Sequence, residues 1–193
     1  MIYLIAGIVL FFGTHLFTTF RSRAPGSDIK VKLGYGPYMG LYSLAAIAGL
    51  ALLIYGYGQM RPSAVIWLPP VWMRHLNIAI QLAAFIILFA AYTPTGYIKK
   101  TLKHPMLVGI KLWALGHLLA NGELNSILLF ASFLAYAVID RIALKRRGDN
   151  GPPPGTVPNI TGDVLAVSLG AGFWAAMVFG LHQMLFGMPV LTG

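Results

Sequence analysis

The residues of this chain best suited to chemistry are its five histidines. Four of them, His15, His104, His117 and His182, fall within or at the ends of long apolar runs. A neutral imidazole binds metals and carries protons. An ionisable group at membrane depth is costly, so it usually faces a bundle interior or a cavity and marks a working site. His104 and His117 bracket one apolar stretch that also carries Lys111 near its middle. Thirteen residues of helix separate these two rings by about 20 Å, so they cannot share a metal. His75 begins another apolar run and reads as an interfacial residue. Asn77 and Gln81, four apart, read as a polar pair on one helix face, suited to interhelical hydrogen bonding.

The elements that must position these residues follow from composition. The chain has 193 residues, 58% of them hydrophobic and 10% charged. Soluble domains carry about 25% charged residues, so an integral membrane protein is expected. The absence of cysteine excludes a disulfide framework, a zinc–thiolate site, an iron–sulfur cluster and a covalently attached c-type haem. The net charge of +9 invites a nucleic-acid reading. The basic residues, however, sit in loops between apolar runs, where they set topology, and no basic–aromatic surface pattern accompanies them. No nucleic-acid partner is expected.

Six spans are predicted, at about 2–20, 38–57, 73–92, 105–120, 124–144 and 164–186. The first is long enough to cross a bilayer and lacks a basic leader, so it reads as a span and not as a cleaved signal. Pro105 suits the first position of the fourth. Trp67-Leu68-Pro69-Pro70-Val71-Trp72 cannot form a spanning helix and should lie in the interface. The turn Asn121-Gly122-Glu123 makes the fourth and fifth spans an antiparallel hairpin. The proline- and glycine-rich stretch 148–162 is a loop without a core of its own. Arg21, Arg23, Lys30 and Lys32, then Lys99, Lys100 and Lys103, then Lys145, Arg146 and Arg147 occupy loops of one parity. The positive-inside rule places these in the cytoplasm and both termini outside. The expected fold is an all-α polytopic bundle, one transmembrane domain over 1–193, with the bilayer as its main partner.

Topology then gives each histidine a depth. His15 and His104 fall near the cytoplasmic side, His117 and His182 near the outer side. Two histidines at one depth on different helices can supply both axial positions of a b-type haem. On a helical wheel, Ser168, Ala171, Ala175 and Val178 share the His182 face and would leave room for a flat ring. Lys111 lies near the stripe of His104 and can hold an anion. Asp140 and Arg141 read as a local charge pair or cap. There is no phosphate-cradling glycine loop, no nucleophile–base–acid set and no paired carboxylates, so hydrolase and kinase chemistry are unsupported.

His104-Pro105-x-x-x-Gly109-x-x-x-Trp113-x-x-Gly116-His117, its short polar turn and the following helix with basic end resemble the NnrU family. Gly13-Thr14-His15-Leu16, with the basic stop after it, fits the same family over essentially the whole chain. The resemblance implies a bacterial inner-membrane protein associated with denitrification and with nitric oxide or nitrite reductase function. The zeta-carotene cis isomerase is similar to that family and carries a histidine-ligated b-type haem. Haem b is therefore the implied cofactor. His15 and His104 are its expected axial ligands, the family motif favouring them, with His117 and His182 as the alternative pair. The implied activity is isomerisation or redox chemistry on a membrane-soluble apolar substrate. A non-catalytic accessory role beside denitrification proteins is the second expectation. A weaker resemblance to membrane methyltransferases rests on Lys103-His104-Pro105-Met106-Leu107-Val108-Gly109. It lacks the arginine, the tyrosine and the later acidic pair used there with S-adenosylmethionine.

Overall fold

The computed structural model describes residues 1–191. Among them the helices are α1 (Ile2–Phe20), α2 (Ile29–Leu33), α3 (Tyr35–Gln59), α4 (Val71–Ala90), α5 (Tyr97–Leu102), α6 (Pro105–Ala120), α7 (Leu124–Arg146), α8 (Ile160–Ala176) and α9 (His182–Phe186). A π-helical turn, Met177–Leu181, joins the last two. Five helical stretches are long and apolar enough to cross a membrane, and α6 is a shorter apolar helix. At 16 residues α6 is about 24 Å long, somewhat under the bilayer's apolar thickness. The protein is an all-α, multi-pass membrane protein with the six expected apolar helices. Its exposed side chains agree: Leu44, Ile47 and Ile54 on α3 are each more than 60% exposed, as lipid-facing residues are.

Contacts group the chain into two compact units, Met1–Trp67 with Glu123–Ser132, and Leu68–Gly122 with Phe133–Gly193. In the first unit α1 and α3 run antiparallel with backbones in close approach. Gly7 lies against Leu52 and Leu53, Gly49 against Phe11, and Gly56 against Leu4. A Cβ added to Gly49 would stand 2.6 Å from the Phe11 nitrogen, so only glycine permits this spacing. Below α1, Arg21 forms an ion pair with Asp28 and lies over the Tyr38 ring. Asp28 also caps α2 by accepting from Lys30 N at 2.9 Å. The Arg21 hydrogen bond holds the Asp28 carboxyl below its usual range.

At the opposite end of this unit, the start of α7 closes onto the end of α3. Tyr57 OH and Ser126 Oγ are 3.0 Å apart, and Arg61 Nη2 donates to Tyr57 OH at 3.2 Å. Ser63 Oγ accepts from Asn125 N at 3.2 Å, and Leu124 N donates to Ala64 O at 2.9 Å. The aromatic–proline stretch thus has no regular helix before Val71, as its prolines dictate, and its start is tied down by a bridge between Val65 and Glu123.

The second unit is built on α4, against which both α6 and α8 run antiparallel. Gly109 meets Leu88 and Ala84, Gly116 meets Asn77, Ile80 and Gln81, and Gly170 meets Ile86. Trp174 Nε1 donates to Ile78 O at 2.9 Å. At the basic-loop end, Asp163 accepts from the Tyr97 and Ile98 amides at 2.8 and 2.9 Å, supplying the start of α5 with acceptors. Lys99 Nζ donates to Ala91 O at 2.9 Å and Thr93 O at 3.2 Å, satisfying carbonyls left open at the end of α4. Asn159 caps α8 by accepting from Thr161 N at 2.9 Å.

Candidate functional site

His15 stands on α1 in the first unit, with ring centroids 4.2 Å from Phe11 and 5.5 Å from Tyr42. Its Nδ1 donates to Phe11 O, one helical turn back, at 2.7 Å. A carbonyl only accepts, so the proton of the neutral ring resides on Nδ1 and the lone pair on Nε2. That is the state in which a ligating histidine is usually held, its other nitrogen donating to a carbonyl.

His104 is differently placed. Pro105 occupies the first helical position, so His104 is the N-cap of α6, with φ −123° and ψ 71°. Its ring direction is set by this extended geometry, so wheel reckoning does not put it on the stripe of Lys111. Its Nε2 donates to Asp149 O at 3.1 Å and lies 3.4 Å from Asp149 Oδ1. Gly151 lets this loop close: its φ is +87°, and a Cβ there would stand 2.5 Å from Lys103 O. The loop 148–151 therefore anchors His104 through the nitrogen a haem iron would use.

His117 and His182 belong together to the second unit and lie near enough for their charges to interact. His117 packs edge-on against Trp113, centroids 5.4 Å apart. Asn121, where α6 stops, donates from both its backbone N and its side-chain amide to His117 O, at 2.9 and 2.8 Å. That amide is also 3.5 Å from His117 Nδ1, a long and weak contact. His182 Nδ1 donates to Met188 O at 2.7 Å, leaving the Nε2 lone pair as in His15. The π-helical turn and the non-helical Gly180 stand just before His182. Steps of 100° per residue do not carry across that break. The face shared by His182 with Ser168, Ala171, Ala175 and Val178 is therefore not the one the wheel predicts. On α8 itself the buried residues are Gly162, against the Pro94 and Gly96 backbone, Ala166, and Gly170, against Ile86 of α4.

At Trp113, one helical turn from His117, an amide pair approaches α6, with Gln81 buried and Asn77 half-buried. Gln81 Nε2 donates to Asn77 Oδ1 at 2.7 Å and to Trp113 O at 3.1 Å. The Trp113 carbonyl fixes this amide orientation, leaving Gln81 Oε1 buried without a donor. The expected interhelical role is met, since Gly116 gives the room for α6 to reach both side chains. His75 is exposed at the start of α4. Lys111 is half-buried on α6 with Arg141 of α7 near enough for their charges to interact. Arg141 Nη1 is buried without an acceptor among the described residues.

Arg141, Asp149 and the Met188 carbonyl were not singled out by sequence as partners of these groups. Asp149 could have been found as the acid in the basic loop; a backbone carbonyl leaves no signal. Among the described residues, no three or more His, Cys, Asp or Glu side chains gather as a metal-holding group.

No curated protein and no solved structure matches the chain. The family model of the NnrU protein matches residues 3–190, nearly the full length. The match takes in all six apolar helices and all four membrane histidines, and the chain is a member of the NnrU family.

Proposed function

We propose that this NnrU-family protein binds haem b through His117 and His182 and serves nitric oxide-related chemistry in the bacterial inner membrane. Family membership suggests the nitric oxide link. The observation that carries the haem reading is the state of His182, whose Nδ1 is held by the Met188 carbonyl while His117 lies near it in the same unit. The donor set fits: two imidazoles from different helices, one held in the ligating tautomer, the other with the Asn121 amide 3.5 Å from its Nδ1. His104 supports the reading by contrast, its Nε2 being donated to Asp149.

Haem, when bound, supplies an iron capable of one-electron exchange. The protein's own contribution is orientation and exclusion of water. Met188 O fixes the His182 ring, and the Trp113 edge limits rotation of His117. Apolar neighbours such as Phe186, 5.0 Å from the His182 ring, lower the local dielectric.

The test is an optical spectrum of purified protein with its alanine variants. His117→Ala and His182→Ala should each lose the bis-histidine Soret signature or the haem itself. His15→Ala, His104→Ala and His75→Ala should keep it. Loss confined to His15→Ala and His104→Ala would move the haem to that pair. A spectrum without haem in the parent, after haem supplementation during expression, would leave the accessory role.

A further inference from the structure

His117 belongs to α6, and His182 follows α8 across the π-helical turn. Both α6 and α8 lean on α4. Two imidazoles share one iron only when their helices are held at a fixed spacing. Each of the two helices is tied to α4 by a side chain that ends on a backbone carbonyl. Gln81 of α4 donates from Nε2 to Trp113 O of α6 at 3.1 Å. Trp174 of α8 donates from Nε1 to Ile78 O of α4 at 2.9 Å. Ile78 and Gln81 are three residues apart, so the two tethers meet α4 within about 5 Å of one another along its axis.

Both tethers lead through backbone hydrogen bonds to a histidine. In α6 the Trp113 carbonyl is the one that accepts the His117 amide, four residues on. Gln81 therefore grips the carbonyl to which His117 is bonded, while Asn121 donates twice to the His117 carbonyl. In α8 the Trp174 carbonyl accepts from Met177 N, and Met177 O accepts from His182 N across the π-helical turn. Trp174 thus stands two backbone bonds from His182. The amide at position 81 also carries a cost. Gln81 is 8% exposed, and its Oε1 is buried without a donor among the described residues. An unpaired buried acceptor lowers stability, and a methionine of similar length would avoid that loss. What the amide alone supplies is the pair of bonds from Nε2, of which the one to Trp113 O reaches another helix.

We propose that Gln81 and Trp174 are positioning residues that make α4 the gauge for the spacing of His117 and His182. The inference rests on the haem reading above and concerns how the two ligands are set.

Gln81→Met and Trp174→Phe, each in purified full-length protein, remove one donor and test this. Each variant should keep its haem but shift from the six-coordinate low-spin spectrum toward a five-coordinate high-spin one. Tyr57→Phe, which removes a hydroxyl in the other unit, should leave the spectrum unchanged. A variant whose spectrum matches the parent's has no positioning role, and a match in both overturns the proposal. A fall in Tm without a spectral shift does the same, since it marks the bonds as structural. Failure of the haem reading is told apart by a measurement that needs no haem. Spin labels on a His117→Cys/His182→Cys pair, in a chain that otherwise lacks cysteine, report their separation by electron paramagnetic resonance. Adding Gln81→Met or Trp174→Phe should broaden that distance distribution. An unchanged width with both overturns the positioning role whether or not the parent carries haem.

Discussion

Gly170 and Gly172 are two residues apart on α8, and alanine at each should act with opposite sign. A Cβ on Gly170 would stand 2.5 Å from Ile86 Cα, 2.7 Å from Ile86 N and 2.9 Å from Phe85 C. All three are backbone atoms, so no rotamer change relieves the clash. The helices must part by about 1 Å to regain ordinary contact, and a gap of that size forfeits a quarter to a half of the attraction between facing atoms. Overpacking of this kind costs about 1–3 kcal/mol. At Gly172 nothing lies within 4 Å of the added methyl group. Alanine there gains about 0.5–1 kcal/mol from reduced backbone freedom in the unfolded chain. The same gain applies at Gly170 and cancels in the comparison. The gap between the two variants is then the packing cost itself, roughly 5- to 140-fold in the unfolding equilibrium. Titration of micellar protein with SDS, followed by helical circular dichroism, measures it. If Gly170→Ala proves as stable as Gly172→Ala, α8 does not pack on α4 as described.

Two further outcomes are expected. The chain has no cysteine, so Lys30→Cys and Asn150→Cys report topology directly. Neither should react with an impermeant maleimide added from outside to intact cells, and labelling of either reverses the assigned orientation. The Asp28 carboxyl is lowered by Arg21, so its stabilising contribution is present above the ordinary carboxylate pKa and is lost as pH falls through the depressed value. Acid unfolding of Asp28→Asn should therefore be less pH-dependent than that of the parent on the low side of pH 4, and identical profiles would remove the ion pair from the argument.

The long helices were legible because hydropathy acts residue by residue. Ile2–Phe20 matches the expected first span at both ends, and α6 begins at Pro105 for the reason its ring suggests. The last span was expected to begin near Val164, but α8 starts at Ile160, because Asn159 caps it. The short helices α2 and α5 escaped notice, since five or six residues show no apolar period. The cap on α5 comes from Asp163, more than sixty residues on, and no local pattern encodes such a partner. The histidines themselves could be read as candidates. Their ring states could not, because Phe11, Met188 and Asp149 act through backbone carbonyls. The π-helical turn before His182 also hid itself, its sequence being as apolar as any helix beside it.

The closure of α7 onto α3 has a consequence for biosynthesis. Tyr57 and Ser126 are 69 residues apart, so at a translation rate of about 5–20 residues per second the tyrosine waits roughly 3–14 s for its partner. During that interval the hairpin of α1 and α3 is already emerging, yet Tyr57 lacks the serine hydroxyl that later meets it. The nascent chain thus carries an unfinished polar end on its first two spans until the fifth is made. A truncation that ends before residue 126 would release this hairpin with that end open, a natural substrate for membrane quality control.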